Sequence, residues 1–377
     1  MGLKTGRSAE GRVFFRNKNT YDWGIYMESI ISQFAIDGNL ISCEPYGSGH
    51  INRTYLVVTD RRNYVLQCVS GAAFHNIPGL MDNVVRVTKA LALQNEDPRS
   101  YLHLVPARTG GYWILSDKGE YWRIYEFVEH TLCLQTPESP SDFYESGVGF
   151  GRFQRQLSDF PIDTLVETIP RFHDTIDRYR LFREALEADC CGRAASVKKE
   201  IEFFLDREEE GGTLVRMRES GALPTRVTHN DTKLNNVLLD ADTRKALCVI
   251  DLDTVMPGLA AYDYGDAIRF GASTAAEDEK DLDKVTVDLT MYKAFSDGFI
   301  PECSSLTEAE LATLHLGAKI MTLENGIRFL TDYLKGDVYY SIARPEHNLD
   351  RARTQIRLVQ DMEKKWSAIE KIMQDYR

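Results

Sequence analysis

A chain of 377 residues, 43% hydrophobic and 27% charged, cannot be wholesale disordered and, at ~150 residues per domain, is too long for one ordinary core. Its 45 Lys plus Arg against 57 Asp plus Glu leave a net charge of −12, which argues against a nucleic-acid partner held through phosphates. No apolar run approaches the ~20 residues of a membrane span. The basic N-terminal stretch lacks the apolar core and cleavage site of a secretory signal, so a cytoplasmic protein without a membrane partner is expected. Seven scattered cysteines read as reduced thiols buried like small hydrophobes.

In chain order, residues 1–26 read as an N-terminal arm, and a short helical pattern covers 27–35. β-Branched and aromatic residues between turn signals then predict an antiparallel meander over 41–45, 52–59 and 64–69. Leu80, Val84, Val87 and Leu91 define a helix face over 80–93. Strands at 112–116 and 121–128 flank Lys118-Gly119, so the first lobe, 27–129, has five strands and one intervening helix. Beyond Glu129 the pattern is helical, over 141–158, 179–188, 195–205 and 300–334. Leu349, Ala352, Ile356, Val359, Met362, Trp366, Ile369 and Met373 place one face on a single long tail helix, expected to pack on its own domain. A β-rich island, 226–253, is embedded in this second lobe, 130–377. The acidic runs 206–210 and 277–283 read as solvated loops or helix faces. The expected fold is α+β and bilobal: a small antiparallel-sheet N-lobe, a larger helical C-lobe carrying a β-hairpin catalytic loop, and a ligand cleft between them. A monomer or weak homo-oligomer is expected.

The chemistry concentrates in His229-Asn230-Asp231-Thr232-Lys233-Leu234-Asn235-Asn236 and the downstream Ile250-Asp251-Leu252-Asp253. Charged groups among short apolar runs are costly without partners or a metal. Two carboxylates and an amide oxygen form a hard oxygen site suited to Mg²⁺. The spacing looks like a kinase catalytic loop, His-x-Asp with Asn following and a second Asp about twenty residues on. In that scheme Asp231 accepts or orients the attacking hydroxyl, Asn236 and Asp251 hold metal, and Lys233 neutralises the transferring phosphoryl group. His229 reads as a brace for the loop, Asp253 as a partner behind the metal site, and Asp263 and Asp266 as loop stabilisers.

A phosphate-covering turn is expected at Gly47-Ser48-Gly49-His50, between two strands. The third strand carries Gln67 where a kinase would present a phosphate-binding lysine. Residues 123–130 would form the hinge, with backbone groups at Glu126 and Val128 facing adenine.

These strings resemble the aminoglycoside phosphotransferase superfamily of small-molecule kinases and, more narrowly, N-acetylhexosamine 1-kinases. The resemblance extends through Asp266-Ala267-Ile268-Arg269-Phe270-Gly271, Arg328-Phe329-Leu330 and Pro345-Glu346-His347-Asn348-Leu349, from about 27 to 371. It implies a protein-kinase-like fold, ATP as phosphate donor, Mg²⁺, and transfer to the anomeric hydroxyl of N-acetylglucosamine or N-acetylgalactosamine. Asp231 would be the base; His50, Arg328 and Tyr339 would grip the sugar; Gln67 also matches this group. The rival readings are a kinase for another alcohol (choline, homoserine or an aminoglycoside), a catalytically silent nucleotide-binding module, and a paired-carboxylate glycoside hydrolase, which would not need the Asn, Lys and glycine turn.

Overall fold

Alternating strand residues build the N-lobe around a twisted antiparallel sheet. The computed structural model describes residues 20–47 and 51–377. Strands β1 (Leu40–Pro45), β2 (Arg53–Thr59), β3 (Asn63–Val69), β4 (Ile114–Leu115) and β5 (Tyr121–Glu126) are ordered β1-β2-β3-β5-β4. Helix α1 (Thr20–Ile31) starts ahead of the expected residue 27. Its early start has a tertiary cause: Trp23 and Tyr26 pack on the sheet, and the Tyr26 hydroxyl donates to Glu120 at 2.6 Å. Leu66, Trp122 and Ile124 share that core with Met27, Ile30 and Phe34. The opposite parity places Gln67 of β3 directly across from Arg123 of β5, on the other sheet face. Helix α2 (Ile77–Gln94), capped by Asn76 accepting from the Gly79 amide, joins that face to the second lobe. Its buried Asn83 donates to the Val166 and Val255 carbonyls at 2.8 and 3.0 Å.

The C-lobe holds α3 (Pro140–Gln156), α4 (Thr175–Ala188), α5 (Lys198–Leu205), α6 (Glu208–Gly211), α7 (Thr213–Glu219), α8 (Ala260–Gly271), α9 (Leu289–Glu302), α10 (Glu308–Leu334), α11 (His347–Lys364) and α12 (Trp366–Gln374). The β-rich island is larger than expected. A short strand β6 (Thr131–Leu132) pairs with the hairpin β8 (Val237–Asp240) and β9 (Ala246–Val249), while β7 (Arg226–Thr228) pairs with β10 (Met256–Gly258). Helix α10 is the lobe's axis, nucleated by a Thr307/Glu310 capping box. Helices α3 and α9 touch backbone to backbone at Gly298, where an added Cβ would collide with the Tyr144 carbonyl.

Two expectations, the single tail helix and the seven buried cysteines, are corrected here. The tail is two helices, not one, because the Lys365 ammonium donates to the Val287 carbonyl at 2.7 Å and pins the chain at the break. Asp263 and Asp266, expected to stabilise the loop, do so from α8; that helix is buried nearly all round, so it has no amphipathic period to read. The acidic runs keep exposed helix and loop faces, as expected, with the Glu209 side chain 94% exposed, and also carry ion pairs: Glu210 meets Lys319 at 2.7 Å, Glu277 meets Arg269 at 2.8 Å, and Asp278 meets His347 at 3.0 Å. Cys133, Cys190 and Cys191 are exposed, unlike Cys43, Cys68, Cys248 and Cys303; Cys190-Cys191 lie in a turn between left-handed Asp189 and Gly192. Among the described residues no helix is long and apolar enough to cross a membrane.

Candidate active site

The catalytic string follows β7, and its shape is set from below by α8. Asp263, fully buried, accepts the His229 amide at 2.9 Å, the Asn230 amide at 2.7 Å and the Gln154 side chain at 2.8 Å. Asp266 accepts the Thr232 amide at 3.0 Å and pairs with Arg269 at 3.0 Å. Asn230 takes a left-handed conformation, φ 64°, which Asn tolerates better than most residues. Its side-chain amide ties back to the Thr254 carbonyl at 2.9 Å. These anchors turn the chain so that Asp231 faces Lys233 and Asn236.

His229 braces the loop by geometry. Its Nε2 lies 2.8 Å from the Ile250 carbonyl, and its Nδ1 accepts the Asp231 amide at 3.3 Å. One nitrogen therefore donates and the other accepts, which defines a neutral ring protonated on Nε2. Phe150 and Phe153 meet its ring edge-on.

Asp231, Lys233 and Asn236 converge. The Asp231 carboxylate lies 2.9 Å from the Lys233 ammonium. The Asn236 amide donates to the Asp231 carbonyl at 2.8 Å and to its carboxylate at 3.3 Å, leaving the Asn236 side-chain oxygen for another partner. Burial alone would raise the Asp231 carboxyl, but the ammonium beside it holds it below the ordinary carboxylate value. The same pairing raises Lys233, keeping it charged. Asp251 opens the next turn in a left-handed conformation, φ 60°, at a solvent-accessible position. Enclosure by the surrounding protein, with the Asp253 and Asp231 charges, pushes its carboxyl up to about 6. An acid so disfavoured as an anion is poised to gain from a cation.

On the N-lobe side Gln67 is committed to protein. Its carbonyl oxygen accepts from Arg123 at 3.0 and 2.8 Å, and its amide donates to Thr54 at 3.2 Å. Arg123 also pairs with Asp253 at 2.5 Å, both side chains buried. Along the expected hinge, the Glu126 amide donates to the His103 carbonyl and its carboxylate pairs with Arg62; the Val128 carbonyl accepts from Thr131 at 2.9 Å. Gly47 is left-handed, φ 79°, with open space where a side chain would stand. Ser48, Gly49 and His50 lie outside the described residues.

Beyond Asp231, α10 presents Arg328 and Glu324. The Arg328 guanidinium sits 4.9 Å from the Phe172 ring centre, 5.8 Å from that of Tyr340 and 3.8 Å from Glu324. Glu324 is held by His173 at 2.9 Å, and the other nitrogen of His173 lies 3.1 Å from the Asn230 carbonyl. Tyr339 is 62% exposed, stacked edge-on against Tyr340. Asp332 organises that turn by accepting the Val338, Tyr339 and Tyr340 amides at 3.0, 2.8 and 2.9 Å. Sequence reasoning missed Phe172, His173 and the anchoring role of Asp332, since none stands in a recognisable string. It placed Arg123 only at the start of the hinge. The uncharged Gln67 was the available signal: a missing cation on one strand invites a search of its neighbour.

A two-lobed architecture with this catalytic string defines a phosphotransferase with a kinase-like fold. Residues 42–287 match the phosphotransferase enzyme family APH, and the chain belongs to that family. Among solved structures it is similar to a microcompartment-associated aminopropanol kinase, at 17% identity and TM-score 0.52, covering 92% of this chain and 98% of that one. It is also similar to spectinomycin phosphotransferase in complex with ADP and spectinomycin, at 12% identity and TM-score 0.55, covering 88% and 96%. Wild-type aminoglycoside 2'-phosphotransferase-IIIa in its GDP complex aligns at 14% identity and TM-score 0.57, covering 88% and 97%. These likenesses bear out the expected α+β, bilobal fold.

Proposed function

We propose that this phosphotransferase moves the γ-phosphoryl group of ATP to the anomeric hydroxyl of an N-acetylhexosamine, N-acetylglucosamine or N-acetylgalactosamine. The observation that carries the phosphoryl-transfer reading is the convergence of Asp231, Lys233 and Asn236, with Asp251 within electrostatic reach. Phosphoryl transfer through a loose transition state needs mainly positioning and charge neutralisation. Asp231, a weak base because Lys233 lowers it, orients the acceptor hydroxyl and takes its proton as the new P–O bond forms and the bond from the γ-phosphorus to the β,γ-bridging oxygen breaks, releasing ADP. Lys233 neutralises charge on the transferring group. The Asn236 side-chain oxygen and the Asp251 carboxylate fit Mg²⁺, which binds through one or two protein oxygens plus phosphates. Bound there, the ion would supply charge neutralisation at the β- and γ-phosphates. Adenine would lie against the 126–128 segment.

The acceptor side favours a neutral sugar over a cation. Burial lowers the Arg178 guanidinium, and the nearby Arg328 charge lowers it further. Glu324 is already engaged by His173 and Arg328. The acidic run at 277–283, a candidate cage for an ammonium group, has Glu277 and Asp278 in ion pairs. Arg328 and Tyr339 would supply directional donors, and Phe172 a ring face, for a polyhydroxylated ligand.

The test is ADP release with Mg²⁺–ATP and a panel of sugars and amino alcohols. Turnover with N-acetylhexosamines, lost in Asp231→Asn, is expected. Turnover with choline, homoserine, aminopropanol or an aminoglycoside but not these sugars would overturn the acceptor assignment; absence of ATP binding would overturn the whole reading.

A further inference from the structure

The strand position that carries the phosphate-binding lysine in protein kinases is Gln67 here, and the nearest strong cation is buried one strand away. Gln67 and Arg123 are cross-strand partners, and both Nε and Nη2 of Arg123 donate to the one Gln67 carbonyl oxygen. The remaining Nη1 reaches Asp253 at 2.5 Å and Met81 sulfur at 3.6 Å, and the guanidinium lies 5.1 Å from the Tyr125 ring centre. The Arg123 side chain is 1% exposed. The other Asp253 oxygen accepts from Asn52 at 2.6 Å, and Asn52 in turn accepts the Ser70 amide at 3.0 Å. Arg123 of β5 and Asn52, just ahead of β2, thus grip an aspartate two residues beyond Asp251, in a turn whose entry is the left-handed Asp251 backbone.

We propose that Arg123 replaces the strand lysine as a positioning residue: it fixes Asp253, and through that turn the Asp251 carboxylate, instead of reaching the phosphates. Its charge is spent on the turn that would hold the metal. Gln67 is the neutral spacer that this requires, because a lysine there would set a second buried cation against the guanidinium. The pair also docks the lobes, since Arg123 belongs to the sheet and Asp253 to the catalytic lobe. This inference rests on the metal role of Asp251 given above.

The experiment is titration of ADP into the full chain, with and without Mg²⁺, for wild type, Arg123→Met, Asp253→Asn and the double variant, with folding checked by circular dichroism. Each single variant should lose at least ten-fold of the Mg²⁺-dependent gain in ADP affinity. Metal-free affinity should stay within two-fold, and the double variant should be no worse than the worse single one. Arg123→Lys, which keeps a charge but cannot grip Gln67 twice, should recover part of the gain; with Asp253→Asn it carries the test if Arg123→Met does not fold. Equal loss with and without Mg²⁺ would mean that Arg123 touches phosphate, and would overturn the proposal. So would additive losses, or singles that respond to Mg²⁺ like wild type. A wild type whose ADP affinity ignores Mg²⁺ would instead overturn the Asp251 assignment, and the proposal with it.

Discussion

Replacing Asp263 by Asn tests whether α8 holds the catalytic loop in shape. The carboxylate accepts three hydrogen bonds in a fully buried setting, two from loop backbone and one from Gln154. Burial raises this carboxyl, and the Asn230 and His229 amides oppose the shift. An Asn side chain must turn its amide toward one of those donors, leaving one buried N–H without an acceptor at a cost of ~1–3 kcal/mol and weakening the others by loss of charge. The expected loss is about 2–4 kcal/mol for Asp263→Asn. Asp263→Ala, which strands all three donors, should lose about 3–6 kcal/mol, and Gln154→Ala, which strands none of the backbone, about 1–2 kcal/mol. Urea unfolding at matched slopes gives the ranking. Steady-state kinetics give the functional part: a shift of the loop by ~1 Å should lower kcat by about 100-fold. An Asp263→Asn protein within about 0.5 kcal/mol of wild type, the range of an ordinary surface change, and with full kcat would refute the reasoning.

Three more outcomes are expected. Arg328→Ala should raise KM for the acceptor by ~10–100-fold, the worth of a charged hydrogen bond, with KM for ATP unchanged; equal effects on both substrates would remove Arg328 from the acceptor side. Glu324 is buried, which raises its carboxyl, yet His173, Arg178 and Arg328 hold it below the ordinary value. Its stabilisation is therefore present above the unfolded value of ~4.3 and lost as pH falls through the lower folded value. Glu324→Gln should be less stable at neutral pH and show a shallower fall below about pH 5 in thermal melts; parallel curves would contradict the shift. Gly298→Ala should cost about 1–3 kcal/mol by driving α3 from α9, and a neutral effect in urea unfolding would show that the two helices are free to separate.

Sequence order by itself determined the parts whose partners are close along the chain. Turn signals and β-branched runs specify the β1-β2-β3 meander and the β4-β5 hairpin, because hairpins pair neighbours; the β3–β5 pairing that joins them spans the intervening helix. The catalytic string is readable because Asp231, Lys233 and Asn236 meet within one local turn. Tertiary structure decided what depends on distant partners. Helix α1 begins at Thr20 because Trp23 and Tyr26 find the sheet, and the tail breaks at Lys365 because the Val287 carbonyl waits there. Helix α8 has no periodic stripe because it is buried nearly all round. Gln67 looked like a missing charge in one dimension. Only the sheet register and lobe docking put Arg123 between it and Asp253, since a buried ion pair is defined by the folded geometry around it and leaves no spacing rule in the chain.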